Sequence, residues 1–121
     1  MMPVIAIVDD NEPFRHATAS FTLGYAVLQF ASAEAFLKSN RLDDTDCLIS
    51  DVQMPGMNGI ELQGKLIAQG YHFPIIFVTA FPEMKARAQA LASGAIGFLA
   101  KPFSDEILIS CLNKALSAKS I

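Results

Sequence analysis

Short β-rich runs alternate with longer amphipathic ones along the whole chain, and this alternation restricts the fold more than any single residue does. The strand candidates are VIAIV (4–8), AVLQF (26–30), CLIS (47–50), IIFVT (75–79) and IGFL (96–99). Their lengths, β-branched content and flanking turn residues favour strand over helix. Three of them are nearly all apolar, as parallel strands covered on both faces must be.

Between the strands the apolar period becomes helical. Phe14, Ala17, Thr18 and Phe21 share one face after Pro13, a residue suited to a first turn. Ser32 is placed to cap a helix that turns Ala33, Phe36 and Leu37 inward. A third helix, from about Asn58 to Gln69, buries Leu62 and Leu66 and can end at Gly70. Pro82 opens a fourth, with Met84, Ala88 and Leu91 inward and Gly94 after it. Ser104 caps the last, where Ile107, Leu108, Cys111, Leu112 and Ala115 form a wide apolar stripe. Five strand–helix alternations predict an α/β fold, a parallel sheet with helices on both faces. The 121 residues suffice for one core and no more, so residues 1–121 read as one domain, without repeat or linker.

Composition removes several functions. Hydrophobic residues make up 52% and charged residues 17%, a globular balance. No apolar run has the length of a membrane span, and the opening MMPVIAIVDD lacks the basic region and cleavage site of a signal peptide. The expected location is the cytoplasm. A formal net charge of −3 argues against nucleic-acid binding by this domain itself, because phosphate contacts need a basic face. Cys47 and Cys111 lack metal-ligand spacing and read as two buried, reduced thiols.

Ligands of open parallel sheets bind beyond the carboxyl ends of the strands, where the strand order reverses. The residues that follow the strands here are Asp9 and Asp10, then Asp51, Thr79 and Lys101. Singly, each has an ordinary explanation as a cap, a strand end or a solvated charge. If the first, third, fourth and fifth strands are neighbours, all five share one rim. Three carboxylates so close raise one another's pKa unless a cation neutralises them. Mg2+ suits such a site, since it takes oxygen ligands and often only one or two carboxylates. Formal charge then closes, with −3 from the aspartates against +2 and +1 from metal and lysine. Such a rim suits phosphoryl transfer, with Asp51 as nucleophile, Asp9 and Asp10 holding metal, and Thr79 and Lys101 meeting phosphoryl oxygens. The MPG that follows Asp51 would turn the chain away and leave the pocket open.

VDD, SDVQMPGMNG, VTA and FLAKPF, in this order and spacing, resemble the receiver domain of two-component response regulators over essentially the whole chain. The resemblance implies a flavodoxin-like sheet of five parallel strands in order 2-1-3-4-5. It implies that Asp51 accepts a phosphoryl group from the phosphohistidine of a sensor histidine kinase. Matched by position, Asp10, Asp51 and the backbone carbonyl of Gln53 would bind Mg2+, and Asp9 would act through a metal-bound water. Thr79 and Lys101 would each hold a phosphoryl oxygen, and Phe98 matches the aromatic that turns inward on phosphorylation. Lys101-Pro102 matches a peptide bond that is usually cis in the family. FASAEAFL and GAIGFLAKPF further resemble receivers attached to LuxR-type helix-turn-helix domains. A DNA-binding output domain, fused or separate, and a homodimer through the fourth helix, fifth strand and fifth helix are the partners this implies. Lys85, Arg87 and Gln89 would lie on that face among small alanines.

The sequence departs from the pattern at several places. FRHATASFTLGY is about two residues short before the Gly-Tyr, and Thr18 replaces an expected aliphatic residue. Gln63 and Gly64 stand where better helix formers are usual, an interior glycine costing roughly 1 kcal/mol against alanine. Other readings of the same fold fit less well. An aspartyl-phosphate phosphohydrolase generally needs an acid two positions after its nucleophile, and Gln53 or Asn11 occupies that position. A flavin-binding domain needs a Ser/Thr/Gly-rich phosphate loop after the first strand, where this chain has the acidic DDNEPF. A stand-alone receiver acting by protein–protein interaction and a fragment of a longer regulator read alike in sequence.

Overall fold

The computed structural model describes residues 2–22 and 24–119. Strands β1 (Val4–Val8), β2 (Ala26–Phe30), β3 (Cys47–Asp51), β4 (Ile75–Thr79) and β5 (Gly97–Ala100) alternate with five helices. These are α1 (Glu12–Ser20), α2 (Ala33–Leu37), α3 (Gly59–Ala68), α4 (Met84–Ala92) and α5 (Asp105–Lys119). All four strand pairings are parallel, and the sheet order is β2-β1-β3-β4-β5. The fifth strand begins one residue later than its sequence pattern suggested.

Because side chains alternate across a strand, each strand feeds two cores. Ala6, Val8, Leu48, Ile75 and Phe77 pack with Phe36 of α2, Leu62 and Leu66 of α3 and Ala90 of α4. Ile5, Ile7, Ile49, Ile76 and Val78 pack with Leu108, Leu112 and Ala115 of α5 and with Ala19 and Phe21 near the end of α1. Burial of one such aliphatic side chain stabilises by roughly 1.5–3 kcal/mol, so the two layers together fix the sheet order.

The helix starts are largely those the sequence signals. Asn11 Oδ1 accepts the Phe14 N–H at 2.9 Å, and Ser32 Oγ accepts the Ala35 N–H at 3.0 Å. Asn58 and Glu61 form a reciprocal capping box at α3, and Ser104 Oγ accepts the Ile107 N–H at 3.2 Å. Helix α4 differs. It begins at Met84, after Glu83 rather than at Pro82, and no side chain caps it.

The inward faces need correcting at five positions. Ala17 is exposed in α1, where Thr18 takes the buried place and bonds its hydroxyl to the Phe14 carbonyl at 3.0 Å. In α4, Met84, Ala88 and Leu91 are exposed, and Ala90 is buried with Ala86 packed beside it. Two alanines let α4 lie close to its neighbours, whereas a Met–Leu stripe would hold it off. Ile107 is also exposed at the edge of the α5 stripe, and Cys111 is half-buried while Cys47 is fully buried.

Candidate functional site

The sheet order brings the ends of β1, β3, β4 and β5 side by side, and all five rim residues converge there. Asp9 continues β1, its N–H bonded to the Phe30 carbonyl at 3.1 Å. Asp51 is the last residue of β3 and Thr79 the last of β4. The Lys101 N–H donates to the Thr79 carbonyl at 2.7 Å, which ties the chain beyond β5 to the same edge. The Lys101–Pro102 peptide bond is cis.

Asp9, Asp51 and Thr79 are buried, while Asp10 is exposed. Carboxylate oxygens of Asp9, Asp10 and Asp51 lie within 4.8 Å of one another. Lys101 Nζ reaches Asp9 Oδ2 at 2.9 Å and Asp51 Oδ2 at 3.3 Å. It also lies 4.1 Å from the centroid of the Phe14 ring, which stands edge-on to Phe103. One ammonium therefore faces two buried carboxylates against an aromatic wall. The Asp51 carboxyl is pushed up to about 6, first by burial and then by the charge of Asp9, with Lys101 pulling it back. Such a site carries excess negative charge that a hard cation relieves, and its all-oxygen donor set fits Mg2+.

The chain turns sharply soon after Asp51. Gly56 has φ +75, a left-handed conformation that favours glycine, and turns the chain back. Glu34 Oε2 accepts the Met57 N–H at 3.1 Å and fixes this turn to α2. Gly59 then begins α3 with its N–H on the Val52 carbonyl at 2.9 Å.

The structure also shows side-chain contacts around the rim that no sequence signal announced. Gln53 was singled out for its backbone carbonyl, yet its side chain also bonds at the site. Thr79 Oγ1 donates to Gln53 Oε1, and Gln53 Nε2 donates to the Phe81 carbonyl at 3.2 Å. Arg15 donates from a terminal guanidinium nitrogen to the Asp9 carbonyl at 2.8 Å. Phe14, read only as a core residue, flanks Lys101. Phe98 is half-buried beside Phe77, with ring centroids 6.3 Å apart. No local sequence signal pairs a glutamine with a threonine across 26 positions.

Comparison with known proteins agrees with this geometry. The sequence profile of the response regulator receiver domain matches residues 5–113. The chain belongs to the response-regulator receiver family. It is 35% identical over 114 residues to the transcriptional regulatory protein FixJ of Azorhizobium caulinodans, covering 93% of this chain and 54% of FixJ. It is 36% identical over 115 residues to the response regulator protein TodT of Pseudomonas putida, covering 93% of this chain and 51% of TodT. The receiver thus spans about half the length of the curated relatives it matches. The crystal structure of FixJ-N superposes with a TM-score of 0.85 at 33% identity, covering 97% of this chain and 95% of that one. The response regulator StyR gives a TM-score of 0.90 at 34% identity, covering 99% of this chain and 62% of that one. Receivers are the phosphoacceptor modules of two-component systems, and the sheet order found here is that of the flavodoxin-like CheY fold. Among the described residues, no helix is long and apolar enough to cross a membrane.

Proposed function

We propose that Asp51 is the phosphoacceptor of a cytoplasmic signalling switch, charged by the phosphohistidine of a sensor histidine kinase. In the transfer, an Asp51 carboxylate oxygen forms a bond to phosphorus while the P–N bond breaks. The leaving imidazole keeps the electron pair. The observation that carries this reading is a buried Asp51 carboxylate at the strand edge, flanked by two acidic neighbours and by a lysine 3.3 Å away. Asp10, Asp51 and the Gln53 backbone carbonyl would hold Mg2+, with Asp9 acting through water. Bound there, Mg2+ would neutralise charge on phosphoryl oxygens.

Lys101 would pair with one phosphoryl oxygen, and Thr79 would donate a hydrogen bond to another. The same groups would assist later hydrolysis of the acyl phosphate, so the domain is a self-assisting acceptor rather than an enzyme acting on other molecules. Drawing Thr79 toward Asp51 would open space beside Phe98 and repack the face formed by α4, β5 and α5. Homodimer formation or engagement of a DNA-binding output domain through that face, as in a transcriptional regulator, is the proposed consequence.

The test is mass spectrometry after incubation with acetyl phosphate and Mg2+. One phosphoryl group on Asp51 is the expected result. Undiminished labelling of Asp51→Asn would overturn the assignment.

A further inference from the structure

The Gln53 side chain sits between the phosphoacceptor loop and the loop after β4, and its amide is used at both ends. The Phe81 carbonyl can only accept, so the Gln53 end bonded to it at 3.2 Å must be the amide NH2. That leaves Oε1 toward Thr79, whose hydroxyl must then donate. The Phe81 N–H completes the ring by donating to Thr79 Oγ1 at 3.0 Å. Thr79 at the end of β4 and Gln53 and Phe81 in the adjoining loops thus form a closed ring of hydrogen bonds, each with a donor facing an acceptor.

The hydroxyl of Thr79 has one proton. It can be given to Gln53 Oε1 or to an oxygen of a phosphoryl group on Asp51, but not to both. We propose that the Gln53 side chain is an off-state latch: it holds the Thr79 hydroxyl and the Phe81 backbone, and a phosphoryl group must displace it to recruit Thr79. This deepens the proposed function and rests on it. Gln53 acts as a positioning residue here, through Thr79, in addition to the part proposed for its backbone carbonyl. The latch sets how much of the binding energy of the modified Asp51 is used in releasing the loop that leads into α4. It also ties that loop to the chain immediately after the acceptor.

Beryllofluoride with Mg2+ serves as the phosphoryl probe, because it needs no kinase. Replacing Gln53 by Met keeps the length and the backbone carbonyl but removes both amide bonds. Gln53→Met should bind beryllofluoride about threefold to tenfold more tightly, the factor a net hydrogen bond is worth. In a Thr79→Ala background the same change should give no gain, because no hydroxyl remains to be released. A gain that persists without the hydroxyl would mean that Gln53 acts by bulk alone, and no gain in either background would also refute the latch. Without metal or probe, the Phe81 amide should shift in Gln53→Met and exchange faster with solvent, and an unchanged Phe81 amide counts against the proposal. Gln53→Ala provides a second variant should the Met side chain disturb the loop. If the parent protein binds no beryllofluoride at all, the phosphoacceptor reading fails and the latch with it. If the parent binds and the cycle shows no coupling, only the latch fails.

Discussion

A methyl group on Gly59 would sit 2.2 Å from the carbonyl oxygen of Asp51. It would also lie 3.1 Å from the edge of the buried Phe77 ring. The first turn of α3 therefore rests directly on the backbone of the acceptor strand, and only a residue without Cβ allows that approach. Gly59→Ala is expected to lower stability by roughly 2–3 kcal/mol, as overpacking of a rigid backbone contact does. Urea unfolding measures the loss, and labelling by acetyl phosphate should fall with it because Asp51 must move. A variant as stable as the parent would show that α3 can slide at no cost.

The pH dependence of Asp51 has a defined sign. Its folded value of about 6 lies above the ordinary 3.8, so the folded state holds this proton more tightly than the unfolded one. Its contribution therefore falls as pH rises from about 4 to about 6, and the full penalty stands above that window. In metal-free buffer at pH 7.5, Asp51→Asn should stabilise the fold by roughly 1–2 kcal/mol. The ~3 kcal/mol equivalent of the shift, which already includes the pull of Lys101, is an upper bound, because solvent and side-chain relaxation screen a buried charge. Thermal melts from pH 4 to 8 should show the gain vanishing at the acid end. A gain independent of pH would be inconsistent with relief of a buried charge.

Metal affinity should divide the two adjacent aspartates. Asp10 is exposed and within reach of the Asp51 and Asp9 carboxylates, whereas Asp9 is buried against Lys101. Asp10→Ala is expected to weaken Mg2+ binding by about tenfold or more, and Asp9→Ala by less. Titration followed by amide NMR decides between them. Parent-like binding by Asp10→Ala would remove Asp10 from the metal site.

Gln63 is a buried amide inside α3 whose Nε2 donates to the Ala90 carbonyl of α4 at 3.1 Å. The Ala95 N–H shares that carbonyl at 3.0 Å, so Gln63→Leu leaves no orphaned acceptor behind. The change should cost about 1 kcal/mol, expressed as faster hydrogen exchange in α4. Global loss of stability with unchanged protection in α4 would show that Gln63 does not hold that helix.

The residues that were legible in the sequence share a physical character. Strands such as VIAIV and IIFVT are short and apolar between turn signals, and their bounds match the structure. The acidic rim was legible because strand ends in a parallel sheet must share one edge. Helix α4 was misread because Met84, Ala88 and Leu91 have helical spacing, while the residues that pack are Ala86 and Ala90. Hydropathy favours large side chains, but close approach of a helix to its neighbours favours small ones. Gln53 and Gln63 were underestimated for a different reason. Each gains its meaning from a partner 27 or 28 positions away, Ala90 and Phe81. Periodicity within one helix or loop carries no trace of such a partner.

Helix α4 has nine residues, and of these only Ala90 is buried. Most exchanges at exposed helix positions change stability by no more than about 0.5 kcal/mol. The outer surface of α4 is therefore almost free of folding constraint, while the rim a few residues earlier is densely constrained by charge and burial. Mutation can redraw the shape and charge of that helix without disturbing the acidic rim. What α4 displays can thus vary while the acidic rim stays as it is.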